Sequence, residues 1–271
     1  LRAQRVALVL AFVIVAFGTP DRTLRVARAQ DVAANLAANE VLRTLGEGVI
    51  GDAHPARPLG DPARLARWEA GDWTYRITAG PRRGQTERER LTPIATTPRG
   101  ETWERAVGQE YTLYLRRTPD GSLVMPSEVA HSHQALVQFD PPLSYLIAGL
   151  GPGERRVFDG KIDVYSSSSP AMKWYSGKIQ AATTHAGAYR VRTPAGTFDA
   201  VLIRTEYRID ILAVVSVRDT LYTFYAEGIG KVAEAEHRRI SAMGLFSSDT
   251  KIGKILVSFV PAADRIQIEA P

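Results

Sequence analysis

Without cysteine, chemistry in this chain would fall to His, Asp, Glu, Ser and Lys, and a few groupings of these stand out. His131 and His133 form an H-x-H pair. On a strand both imidazoles would share one face, which suits zinc or copper, with a third ligand drawn from His185, His237 or Glu128. The segment before them, Pro126-Ser127-Glu128-Val129-Ala130, is as compatible with a loop, and two surface histidines are the simpler reading. Glu234 and Glu236, next to His237, would share a strand face, which permits acid–base work by a carboxylate pair. The preferred alternative is a solvent-facing strand whose charges discourage edge pairing. Ser248-Asp249-Thr250-Lys251 has the S-x-x-K spacing of penicillin-recognising acyl enzymes but lacks their companion motifs. Gly149-x-Gly151-x-Gly153 carries Pro152 where a phosphate loop needs free N–H groups. There is no G-x-S-x-G, H-E-x-x-H or Walker motif. No catalytic, cofactor-binding or metal-ligating residue is assigned on these grounds, and no cofactor is expected.

The elements that could position such groups begin with a leader. Arg2 and Arg5 precede an apolar run from Val6 to Phe17. That run would make a helix of about 18 Å, short of a hydrocarbon core of about 30 Å. Residues 1–29 therefore read as a signal peptide, cleaved after Ala29 or, as a second choice, after Gly18, with an uncleaved anchor as the lesser alternative. The first residue is Leu rather than Met, so the leader as read need not be whole. The expected location is the periplasm or another exported compartment, with no transmembrane span in the mature chain. An anchor built on a modified cysteine is not expected in a cysteine-free chain. The leader holds five arginines and one aspartate, a net of +4 out of +5 for the chain. The mature part is thus nearly neutral, its Arg pairs are scattered among acids, and nucleic-acid binding is excluded.

Residues 30–66 read as a helix and a linker. Val32, Leu36, Val41, Leu42 and Leu45 recur near helical spacing from Asp31 to Leu45, and Asp52–Pro62 is rich in Pro, Gly and Asp. Residues 67–271 read as a β-rich domain, whole or as two packed halves meeting near 140–160. Trp73, Tyr75 and Ile77 alternate with polar residues, as do Tyr111, Leu113 and Leu115. Gly80–Gly84, Thr97–Gly100 and Thr118-Pro119-Asp120-Gly121 are turns between such runs. Leu143–Leu150 is a candidate crossover between the halves. Later strands are expected at Met172–Tyr175, Lys178–Thr184, Tyr189–Arg192, Phe198–Ile209, Thr220–Ala226, Lys231–Arg238, Lys254–Val260 and Arg265–Glu269. The apolar Ile211–Val215 reads as a strand buried on both faces, or else as a hairpin tip that meets lipid or a partner. The fold class is mainly β: a curved antiparallel sheet or half-open barrel with a short N-terminal helix.

Two segments have more specific patterns. Thr193-Pro194-Ala195-Gly196-Thr197-Phe198 is a tight hairpin turn, because Pro194 fixes φ and Gly196 tolerates positive φ. Tyr225-Ala226-Glu227-Gly228-Ile229-Gly230 is a sharp bend or bulge between strands. With Gly71-Asp72-Trp73-Thr74-Tyr75 upstream, the ordered set resembles the TapB-like family of exported bacterial β-rich domains, over about Arg67 to Glu236. That resemblance implies a strongly curved antiparallel sheet in the cell envelope and no catalytic residues. The function expected is therefore a non-enzymatic envelope protein binding an apolar or amphiphilic ligand, or an envelope partner, on the concave face. The alternatives are a periplasmic hydrolase with a dispersed Asp/Glu/His site, and an interaction module docking through Ile211–Val215.

Overall fold

The computed structural model describes residues 39–97, 100–212, 215–242 and 246–262. Their dominant feature is a meander of antiparallel strands. β1 is Ile50–His54, β2 Gly71–Ala79, β3 Thr86–Thr97, β4 Gly100–Val107, β5 Tyr111–Arg117, β6 Leu123–Ala130 and β7 Ala135–Leu146. β8 is Arg155–Ser166, β9 Lys173–Thr193, β10 Gly196–Ile211, β11 Val215–Ala226, β12 Gly230–Ala242 and β13 Phe246–Pro261. From β2 to β13 each strand pairs with the next, and β13 returns to pair with β2, closing a twelve-strand barrel. β1 adds outside the closure, against the far end of the long strand β9.

The mainly β, curved antiparallel architecture is as expected, and the barrel it forms is closed rather than half-open. Phe246–Pro261 is long enough to reach β12 at one end and β2 at the other, so no barrel strand is left with a free edge. The three short strands expected between Met172 and Arg192 are one 21-residue strand, β9, pairing with β8 over its first part and with β1 over its last. Leu143–Leu150 is no crossover; it is the end of β7 and the start of the loop to β8. Asp52–Pro62 is not wholly loop, since β1 runs to His54. The expected single strand Ile211–Val215 is split: Ile211 ends β10, Val215 starts β11, and the two pair with each other. Both are buried while Leu212, at φ 51°, is exposed. The expected N-terminal helix is represented among the described residues only by a 3-10 turn, Leu42–Leu45. Residues 31–38, the leader and the strand expected at Arg265–Glu269 lie outside the described residues.

Register explains which side chains go inward. Trp73 and Tyr75 face Glu89 and Glu87 across the β2–β3 pair, and Tyr207 faces Asp219 across β10–β11. One side of the interior is aliphatic, with Val137, Ile162, Ile179, Ile209 and Val217 all buried. An eight-stranded barrel is already wide enough to hold one small ligand, so twelve strands demand bulkier filling. Trp73, Tyr75 and Arg105 provide part of it, each almost fully buried. Outside, Val41, Leu42, Leu45 and Val49 pack in one apolar cluster with Tyr189, Leu202, Tyr222 and Phe224. Asn39 Nδ2 donates to Tyr222 Oη at 2.8 Å, and Thr78 Oγ1 donates to the Thr44 carbonyl at 2.7 Å.

The outward face of β10 is polar. Arg204, Glu206, Arg208 and Asp210 occupy successive outward positions of β10. A membrane-spanning barrel needs an apolar outer band, and an Arg at mid-bilayer would cost about 2–4 kcal/mol, so this face of β10 is unsuited to lipid. Among the described residues, no helix is long and apolar enough to cross a membrane.

Candidate functional site: the barrel lumen

The barrel has a plugged end and an open end. The segment after β1 crosses the plugged end and includes one short helix, α1 (Pro62–Leu65). Asp61 caps α1 by accepting from Ala63 N at 2.9 Å, and Pro62 suits the first helical turn. Leu59 exchanges backbone hydrogen bonds with the β7–β8 loop at Leu150 and Gly149 (3.0 and 2.8 Å). Leu59, Leu65 and Ala66 are buried with Leu123, Leu146 and Tyr225. Two of the segments with specific sequence patterns, residues 71–75 and 225–230, meet at this end. Trp73 Nε1 donates to the Ile229 carbonyl at 2.7 Å, Tyr75 Oη to the Lys231 carbonyl at 2.9 Å, and Arg67 to the Gly228 carbonyl. Gly230, at φ 90°, would bring an added Cβ to 3.0 Å from the Ala66 carbonyl, so this bend needs glycine for both conformation and space. These two segments thus build part of the plug.

Above the plug lies a cavity of about 440 Å³, bounded toward the open end by Arg82, Glu110, Phe246 and Ser248. That volume is within the range of about 300–1,000 Å³ usual for small-molecule sites. Leu113, Met125, Ile203, Leu221 and Ile252 give the wall its apolar part, and Tyr111, Tyr145, Tyr207 and Tyr225 an aromatic part.

Charged side chains form two groups in the wall. In the deeper one, Lys254 Nζ reaches Glu87, Glu89 and Glu234 at 2.8, 3.0 and 3.0 Å. Lys231 Nζ reaches Glu89 at 2.7 Å and Glu234 at 3.1 Å, and Arg105 Nε donates to Glu89 at 2.8 Å. Burial pushes the Glu89 and Glu234 carboxyls up, but the surrounding cations outweigh it. Glu89 is held well below the usual carboxylate range and Glu234 is brought down to about 2. Burial likewise works against the Lys254 ammonium and is outweighed by its three glutamates. Three carboxylates and three cations satisfy one another here.

The second group does not balance. Arg238 contacts Asp219 (Nε to Oδ2, 3.1 Å) and Glu236 (2.5 Å). Burial, then the neighbouring Glu236, push the Asp219 carboxyl well up despite Arg238. Glu128 lies on β6 between Leu113 and Val137, completely buried, and neither of its oxygens has a hydrogen-bond partner among the described residues. Burial raises its carboxyl to about 8, against a lesser pull from Arg238.

The sequence candidates land unevenly. Glu234 and Glu236 do share a face, but it is the lumen face and not the solvent-facing edge expected; the Lys231–Lys254–Arg238 cations make burial tolerable. His237 points the other way and pairs with Asp249 at 2.8 Å. His131 and His133 sit in a 3-10 turn, with His131 Nε2 2.8 Å from Thr112 Oγ1. Among the described residues no three His, Asp or Glu are placed to hold a metal ion. Ser248–Lys251 is strand, with only Ser248 and Thr250 facing the lumen. Sequence reasoning missed Glu87, Glu89, Arg105, Asp219, Lys231 and Lys254. Their signal was parity: each shares a strand face with an inward aromatic or aliphatic residue across the register.

No family model matches the chain, and no curated protein matches it in sequence. Among solved structures the chain is similar to a protein of YmcC-like fold from Bacteroides fragilis, assigned as exported, at 14% identity and TM-score 0.41. The match covers 76% of this chain and 99% of the other. It is similar to a protein assigned as a lipoprotein from Parabacteroides distasonis, at 10% identity, TM-score 0.35 and 76% and 100% coverage. It is also similar to the hypothetical lipoprotein YmcC of Escherichia coli, at 10% identity, TM-score 0.34 and 73% and 88% coverage. The narrower TapB-like resemblance has no counterpart in these comparisons.

Proposed function

We propose that this chain is an exported binding protein that takes a small amphiphilic ligand into the lumen of its barrel. The supporting observation is the cavity of about 440 Å³, closed below by the plug and walled partly by aliphatic and aromatic side chains and partly by charged ones. Such a wall suits a ligand with an apolar body and a polar group. The barrel replaces the concave sheet as the binding surface.

A hydrolase is the second reading, favoured by a buried Glu128 whose carboxyl keeps a proton at neutral pH, as a general acid must. Acid–base pairs work when the environment drives two carboxyls apart. Here burial raises Asp219 as well as Glu128, so these two carboxyls are not driven apart. Binding is therefore the better reading.

The test is native mass spectrometry of the full chain recovered from the periplasm, compared with Thr205→Phe, which places a ring in the cavity. A small-molecule adduct lost on organic extraction and reduced in Thr205→Phe is the expected result. An adduct-free wild type whose melting temperature is unmoved by a panel of amphiphiles would refute binding.

A further inference from the structure

The lumen wall is charge-matched everywhere except around Glu128. Deep in the lumen, Glu87, Glu89 and Glu234 are answered by Arg105, Lys231 and Lys254, and nearer the opening Arg82 lies 3.3 Å from Glu110. In the remaining part Glu128, Asp219 and Glu236 share one guanidinium, Arg238, which is already engaged by Asp219 and Glu236. Glu128 has no exposed surface, lines the cavity, and among the described residues has no donor for either oxygen; Asp219 Oδ1 has none there either. Folding alone gives no reason for a carboxyl in that position, because a buried polar group without a partner is costly and an aliphatic side chain would fill the same place. The missing partner is one that the cavity can admit.

Resting on the binding function proposed above, we infer that Glu128, supported by Asp219, is the subsite for a protonated amine, so that the ligand is an amphiphilic organic cation. Its ammonium group donates to the unpartnered oxygens and its apolar body lies against Leu113, Met125 and Leu221. The tyrosines of the wall add to this chemistry, since aromatic faces attract ammonium groups once water is displaced. A divalent metal is a poor fit, because the carboxyls do not converge as a metal ligand set among the described residues. In the empty site Glu128 holds a proton at neutral pH. The arriving ammonium takes its place beside the carboxylate, and that proton leaves to solvent. The groups whose charge bears on this exchange are Arg238 and Glu236 on β12, Asp219 on β11, Tyr111 on β5 and Tyr207 on β10.

The experiment is isothermal titration of the full chain at pH 7 with n-octylammonium, 1-octanol and octanoate, in two buffers of different ionisation enthalpy. Ammonium should bind about tenfold or more tighter than the alcohol and release about one proton per site. Glu128→Gln should erase that preference and the proton release while keeping alcohol binding, and Thr205→Phe should weaken both ligands. Equal or tighter binding of alcohol or octanoate to the wild type would overturn the cation inference and leave the lumen as an apolar site. Binding of none of the three would remove the ligand-binding reading itself. The wild-type ranking and proton count decide the matter even if Glu128→Gln fails to fold.

Discussion

Glu128→Gln should make the protein more stable at neutral and alkaline pH and leave it nearly unchanged at pH 4. In the folded state burial holds the carboxyl at about 8, against 4.5 when exposed. Below 4.5 both folded and unfolded chains carry the proton, and the full stability is present. Between 4.5 and 8 the unfolded chain ionises while the folded one does not, so stability falls by about 1.4 kcal/mol per pH unit. The cumulative loss is about 3 kcal/mol at pH 7 and about 5 kcal/mol at pH 8, after which both states are ionised and the slope ends. Glutamine keeps the shape and has no proton to lose, so the pH-dependent part of the gap isolates this one group. For a chain of this size, about 3 kcal/mol corresponds to roughly 6–12 °C in melting temperature at pH 7. The assay is thermal unfolding of wild type and Glu128→Gln from pH 4 to 8.5 at constant ionic strength. A gap that stays flat across that range would show that Glu128 is hydrated or paired in solution, and the account of the second charged group would fail.

The deeper group should respond with the opposite sign. Its glutamates are held low, so the stability they provide is present above the ordinary carboxylate range and lost as pH falls through their folded values. Lys254→Met should cost about 3–5 kcal/mol at pH 7, because three glutamates lose a common cation. In urea titrations that deficit should shrink toward pH 4; a constant deficit would mean that packing dominates. Trp73→Phe leaves the Ile229 carbonyl without its donor and should cost about 1–3 kcal/mol in the same assay; no measurable loss would mean that water replaces the indole. Gly253→Val meets the Thr44 carbonyl, 2.4 Å from even a bare Cβ, and should lift residues 39–54 off the outer wall. Limited proteolysis should then cut that segment selectively, and unchanged protection would refute the close packing described.

Where the sequence was informative, it was because one strand face was apolar and the other polar. Trp73-x-Tyr75-x-Ile77 has that form, and the structure places all three inside. The turn at Pro194 and Ala195 was legible because proline fixes φ and glycine admits the positive φ found at Gly196 (138°), and neither property needs a tertiary partner. The charged lumen was not legible for the complementary reason. Thr86-Glu87-Arg88-Glu89-Arg90 is charged on both faces, so no alternation marks Glu87 and Glu89 as inward. Asp219 and Arg238 face each other across β11 and β12, and only that register shows that they point at the cavity. Closure was hidden too, because the pairing of β13 with β2 joins residues about 180 positions apart and leaves no local trace. Leu212 misled for a different reason: an apolar run without alternation reads as a buried strand, whereas the positive φ that ends β10 is a property of the backbone.

The two charged groups bear differently on function, and the contrast separates structure from ligand. A buried ion-pair network adds little net stability compared with an aliphatic core, but breaking it is expensive, so once matched it holds a shape. Matched side chains of this kind can fill part of a lumen too wide for aliphatic packing alone. The deeper group fits that role, since every carboxylate has a cation within 3.1 Å. Glu128 does not, because it engages neither Arg238 nor any other donor. If the lumen only needed filling, Leu113 and Val137 flank a position where leucine would serve better. A carboxyl kept there, in the cavity wall with Tyr111 and Tyr207 nearby, fits the cation subsite inferred above, whose ligand would carry the hydrogens the protein does not provide.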